Sequence, residues 1–205
     1  MQREPIETQD HGAASAGEKY RQSHTPGETG IWVFIMGDMM VFALFFLVFV
    51  FYRAENTALF QASQATLNTH YGTFNTLLLL TSSWFVVMAT NGVRKNLRRQ
   101  AATLYGLAFL CGAGFSLIKV VEYREKIQAG FGLTTNDFYM YYYIFTGLHF
   151  VHVIIGMAVL VALIHKSLSG LREPGDLALI EGGASYWHMV DVLWIILFPL
   201  LYLMK

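Results

Sequence analysis

Polar and apolar positions fall into long blocks along this chain, not into a short alternation. Residues 1–29 are polar and contain no apolar core of a cleavable signal peptide. They read as a flexible cytoplasmic tail that closes near a Pro26-Gly27 turn. Five apolar stretches follow, each near the roughly 20 residues that a membrane span requires. They run at about 31–52, 73–92, 101–121, 138–164 and 185–204, and the third is expected to continue as helix beyond the bilayer. Short alternating strands are absent, so the pattern predicts an all-α membrane bundle over residues 30–205 and not a barrel. No internal repeat or inverted symmetry is visible, which weighs against a transporter.

Composition sharpens this reading. Charged residues are 14% of the 205, hydrophobic residues 55% and aromatic residues 15%, with a mean hydropathy of +0.43. A soluble chain of this size cannot hide that much apolar surface in one core. The balance excludes disorder, a nucleic-acid binder and an ordinary cytosolic enzyme. Lys+Arg and Asp+Glu are both 14, so net charge names no partner, and the single cysteine, Cys111, excludes an internal disulfide or a Cys-based zinc site.

The distribution of basic residues sets the expected orientation. Arg3, Lys19, Arg21, Arg94, Lys95, Arg98, Arg99, Lys166 and Arg172 fall on the side of the tail. Arg53, Lys119, Arg124, Lys126 and Lys205 fall on the other. Nine against five predicts the N-terminus inside and the C-terminus outside. Tyrosines at 139 and 141–143, and Tyr186-Trp187, open the fourth and fifth spans as an interfacial belt would.

Polar groups at membrane depth are costly and each asks for a reason. Asp38 lies about two turns into the first span and should face the bundle, as a proton-linked or lipid-headgroup site or as a structural carboxyl. Glu122 stands three residues after Lys119 and four before Lys126, spacings that allow an ion pair along one helix face. A solvated helix end is the alternative. His149 and His152, three apart, share a face that Gly156 continues and where another backbone could approach. His188 and Asp191 are also three apart, with Glu181 ahead of them. Three membrane histidines raise a metal or haem site. Interhelical hydrogen bonding is the competing role, and no His-Glu-x-x-His or Cys-x-x-Cys-His motif is present. Ala108, Gly112 and Ser116 form a small-residue stripe for close packing, within this chain or at a subunit interface. The aromatic residues of the first and fourth spans read as lipid-facing bulk, and His70 as solvated.

Several ordered motifs carry a family resemblance. They are Gly37-Asp38, Leu67-Asn68-Thr69, Asn75-Thr76-Leu77, Val121-Glu122-Tyr123, Thr146-Gly147-Leu148-His149-Phe150-Val151-His152-Val153, and the run 181–191 from Glu181 through Trp187 and His188 to Asp191. Over about residues 28–204 the chain resembles subunit III of the haem-copper (cytochrome c and quinol) oxidases. Its length matches the five-helix form. The runs Gly30–Met39 and Leu79–Trp84 are most similar to a standalone branch associated with bacterial nitric oxide reductase. The resemblance implies a non-redox accessory subunit in a bacterial inner membrane, with haem and copper held by partner subunits and no metal here. It implies catalytic subunit I and phospholipid as partners, a V-shaped cleft for that lipid, and support of proton uptake. Asp38 and Glu122 would be the lipid- or proton-linked residues. The family usually has Glu at the position of Asp38. His149, His152, Glu181, Trp187, His188 and Asp191 would hold the helices together. The rival reading is a self-contained haem or metal protein using His149, His152 and His188.

Overall fold

The computed structural model describes residues 29–170 and 175–204. The tail with its Pro26-Gly27 turn, together with Arg3, Lys19, Arg21, Arg172 and Lys205, lies outside them. Among the described residues every regular element is helical. They are α1 (Thr29–Glu55), α2 (Thr57–Gln64), α3 (Thr69–Arg94), α4 (Arg98–Gln128), α5 (Asp137–Ser169) and α6 (Asp176–Phe198), which runs into a π-helical turn, Pro199–Leu203. All but α2 are long and apolar enough to cross a membrane. α1, α3, α4 and α5 each contain one of the apolar stretches and extend beyond it at both ends, and α4 continues to Gln128.

The fifth span starts nine residues earlier than expected, at Asp176. Its first turns carry Asp176, Glu181 and two glycines, which read as a loop. Tertiary pairing keeps them helical: Asp176 meets Lys166 at 2.7 Å and Glu181 meets Arg94 at 2.7 Å. The short helix α2 carries no sequence signal because Thr57–Gln64 is half polar and too brief for a period to show.

Local chemistry sets the turns. The Asn68 side chain caps α3 by accepting from the His70 amide at 3.0 Å, and that of Asn136 caps α5 from Tyr139 at 3.0 Å. The α3–α4 turn closes with Asn96 at φ 59°, while the Leu97 amide donates back to the Gly92 carbonyl. Gly130, at φ 85°, ends α4 with the same geometry.

Lipid offers no hydrophobic drive between helices, so the bundle relies on close packing and internal hydrogen bonds. Both centre on Trp187. A Cβ on Gly112 of α4 would lie 2.9 Å from its indole, and one on Gly156 of α5 would lie 2.7 Å away. The close approach at Gly156 is therefore that of an indole, not of a neighbouring backbone. The Trp187 Nε1–H donates to Ser82 Oγ at 3.0 Å, and Ser82 donates to the Ala108 carbonyl at 3.0 Å. The small-residue stripe on α4 thus serves packing inside this chain. The aromatics of α1 and α5 correct the lipid-facing expectation in part. Phe42, Phe49 and Phe145 are buried, and Phe49 packs on Phe145, Phe60 and Tyr141 at ring separations of 5.5–5.8 Å. The outward face of α1, including Val33, Met36, Met40 and Leu47, stays exposed.

Candidate functional site

Asp38 and Glu122 sit in two separate polar centres of the bundle. The first joins α1 to α5. Asp38 Oδ2 lies 3.2 Å from His152 Nε2, off the alignment of a good hydrogen bond. Each side chain keeps about a sixth of its surface, 17% and 15%. The other ring nitrogen, His152 Nδ1, lies 2.8 Å from the Leu148 carbonyl. A carbonyl only accepts, so Nδ1 carries hydrogen. A neutral ring then leaves Nε2 bare, and Nε2 attracts Asp38 only if one further proton lies between them. Phe42 screens the contact, with its ring centre 5.5 Å from that of His152.

The second centre is a closed triangle. Lys119 Nζ donates to Glu122 Oε2 at 2.9 Å and to Tyr202 OH at 2.8 Å, and Tyr202 OH donates to Glu122 Oε1 at 2.6 Å. Lys119 and Glu122 are each 1% exposed. The helix spacing of three brings the charges together, and Tyr202 of the π-helical turn after α6 completes the ring from 80 residues away. Aromatic faces surround the ammonium, with Trp194 nearest at 4.8 Å. Lys126, the other basic residue at helical spacing from Glu122, turns instead to the Thr66 carbonyl. Tyr123, the next residue, bonds Thr146 at 2.6 Å.

The remaining residues read from the sequence lie in different places. His149 is fully buried between Phe115 and Trp194, with ring centres at 5.6 and 5.3 Å, and neither ring nitrogen has a hydrogen-bond partner. It and His152 do not converge on one point: one faces the core and the other Asp38. His188 belongs to the α3–α6 contact, with Nδ1 2.6 Å from Ser83 Oγ and 4.0 Å from Asp191 Oδ2. Both neighbours address the same ring nitrogen, so these three do not form the relay of a hydrolase, which needs a base on one nitrogen and a nucleophile on the other. Among the described residues no group of three or more His, Cys, Asp or Glu is placed to hold a metal. The three histidines touch three separate environments, which disfavours the self-contained haem or metal protein. Sequence reasoning missed Tyr202 and Trp194 as partners of the buried charges, since neither carried a signal beyond its aromatic character.

The sequence profile of cytochrome c oxidase subunit III matches residues 13–205. The chain belongs to the cytochrome c oxidase subunit III family. It is 32% identical over 180 residues to cytochrome c oxidase subunit 3 of Thermostichus vulcanus, covering 85% of this chain and 86% of that one. It is 28% identical to the cytochrome bo(3) ubiquinol oxidase subunit 3 of Pseudomonas aeruginosa, over 94% and 93% of the two chains. It is 29% identical to part of the heme-copper oxidase subunit I+III of Aeropyrum pernix, over 85% of this chain and 22% of that longer one. As a subunit III-family chain with five helices fit to span, it is a multi-pass membrane protein of the haem-copper and quinol oxidase group.

Proposed function

We propose that this chain is a non-redox accessory subunit that stabilises a haem-copper catalytic subunit I, holds phospholipid and supports proton uptake. The complex, in a bacterial inner membrane, reduces O2 or NO. The similarity of Gly30–Met39 and Leu79–Trp84 to the standalone branch favours the nitric oxide reductase association. Partnership with subunit I is supported by the Aeropyrum pernix relative, named as subunits I and III in one chain. Haem and copper are assigned to partner subunits.

The observation that carries the lipid and proton roles is the Asp38–His152 contact at 3.2 Å. It lies next to an apolar cleft of about 480 Å³ between α1, α5 and α6, lined by Ile31, Phe34, Ile155, Val159 and Tyr186. Ile31, Phe34 and Asp38 follow one another on one helix face, as do His152, Ile155 and Val159 on the facing helix. An acyl chain laid in that cleft reaches towards the Asp38–His152 pair, so the lipid and proton roles fall at one place. Glu122 has a supporting role as the anchor of the buried triangle.

Asp38→Asn tests this. The Asn amide can donate to Nε2 and so preserves the contact while removing the titratable group. The complex should assemble with unchanged redox spectra. Turnover should fall, most at high pH where proton supply limits, and inactivation during catalysis should accelerate. Unchanged turnover at every pH would reduce Asp38 to a structural contact. Complete loss of activity in an assembled complex would place chemistry in this chain after all.

We assign the α1 N-terminus to the cytoplasm on the nine-to-five basic asymmetry. A reporter active only in the periplasm should work when fused after residue 205 and fail when fused in the α3–α4 turn beside Arg98. The opposite pattern reverses the orientation.

A further inference from the structure

We propose that the groove between α3 and α6 is a water-filled half-channel. It opens at the Arg94–Glu181 end of the bundle and ends about midway across the membrane at His188, Ser83 and Asp191. The proposal requires only that α3 and α6 cross a bilayer, and it is independent of the roles given to Asp38 and Glu122.

Three observations carry it. The first is the lining. An otherwise apolar α6 carries Glu181, Ser185, His188 and Asp191 at steps of four, three and three, which is one helix face. Across from it α3 contributes Ser83, Thr90, Asn91 and Arg94. Thr90, Asn91, Arg94, Glu181, Ser185 and His188, together with Val87 and Ala184, line an open groove of about 190 Å³, room for about six waters at roughly 30 Å³ each, and Ser83 and Asp191 lie beside His188 at its inner end.

The second is depth. Ser83 lies eleven residues before Arg94 on α3, or about 16 Å along the axis at 1.5 Å per residue. The hydrocarbon core is about 30 Å thick. The His188 side chain is therefore near mid-membrane and yet keeps 34% of its surface. A titratable ring that open cannot face acyl chains without a large cost. With Nδ1 turned to Ser83, Nε2 is the atom left to meet whatever fills the groove.

The third is a buried carboxyl at the inner end. The Asp191 side chain is 3% exposed, and neither carboxyl oxygen has a well-formed hydrogen bond. The neighbouring polar groups are the Ser83 hydroxyl and the His188 ring. A buried carboxyl in that state needs either a proton or water. The other charged groups on the groove are Arg94 and Glu181, which pair with each other at the rim at 2.7 Å, and Tyr105 of α4 bonds Thr90 behind it. Water entering at the rim meets a polar group at nearly every turn down to His188, which then exchanges protons with one aqueous side only.

Thiol accessibility in the assembled complex tests the proposal. In a Cys111→Ser background reconstituted in liposomes, Ser185→Cys and Val87→Cys place thiols on the two walls, each serving if the other fails to fold. Met88→Cys, 41% exposed in the parent residue, next to Val87 and outside the groove lining, is the control at the same depth. The probe is a membrane-impermeant sulfonated methanethiosulfonate, which reacts with the thiolate, a species that forms in water and not in lipid. The groove thiols should be modified about tenfold faster or more than the control, and only from the Arg94 side. Rates equal to the control mean a dry groove and overturn the proposal. Rapid modification of the isolated chain with protection in the complex overturns it equally, because a partner subunit's side chains then fill the groove.

Discussion

Lys119→Met should leave the chain unable to hold its fold, while Lys119→Met combined with Glu122→Met recovers most of the loss. The reason lies in the balance of desolvation against attraction. The charges of Lys119 and Glu122 are both withdrawn from solvent, each at 1% exposure. Their pairing, the Tyr202 hydroxyl and the Trp194 face offset that cost. Removing one partner strands the other charge in a low-dielectric core, a change worth about 3–5 kcal/mol. Removing both replaces the pair with apolar volume, which is often neutral. The measurement is thermal unfolding of the purified chain in detergent, with recovery in the complex as a second readout. A double variant no better than the single one would show that the triangle matters for more than its own charge balance.

Trp187→Ala should be the most damaging uncharged substitution, at about 3–5 kcal/mol for a fully buried indole. It empties the space that Gly112 and Gly156 leave and strips Ser82 of its donor. Gly156→Leu alone should be nearly as harmful, since even a Cβ there would lie 2.7 Å from the indole. The two together should cost less than their sum, because the leucine enters the vacated space. That non-additivity, read from unfolding midpoints of the four species, is the signature of direct contact. Simple additivity would mean that the tight fit at Gly156 is not what limits the site.

The five spans were legible because a membrane demands unbroken apolar length, and length is a property of local sequence. The start of α6 was not, since Asp176 and Glu181 look like loop residues until Lys166 and Arg94 arrive from other helices. The polar centres divide in the same way. Lys119 and Glu122 share a helix, so their spacing announced them. Tyr202 closes their triangle across 80 residues, and no local pattern reports such a contact. His149 and His152 show the reverse difficulty. Three residues apart they share a broad face, yet one turns to Trp194 and the other to Asp38. Spacing alone could not tell a 60° divergence from a common target.

The π-helical turn at Pro199–Leu203 has a consequence for angular phase. Trp194 and Tyr202 are eight residues apart, and in an uninterrupted α-helix they would point roughly 80° away from each other. Both nevertheless address the same ammonium group, at 4.8 Å and 2.8 Å. The wide turn, closed by the Met204 amide on the Pro199 carbonyl, takes up about one extra residue and removes most of that offset. The C-terminal turn thus behaves as a one-residue insertion whose effect is rotation. Deleting one residue between Trp194 and Tyr202 would leave the two seven apart in an ordinary α-helix, about 20° from alignment, and so keep the hydroxyl on the charge, whereas an inserted residue would swing it away. The tolerance of this stretch to length changes is therefore set by angle and not by space.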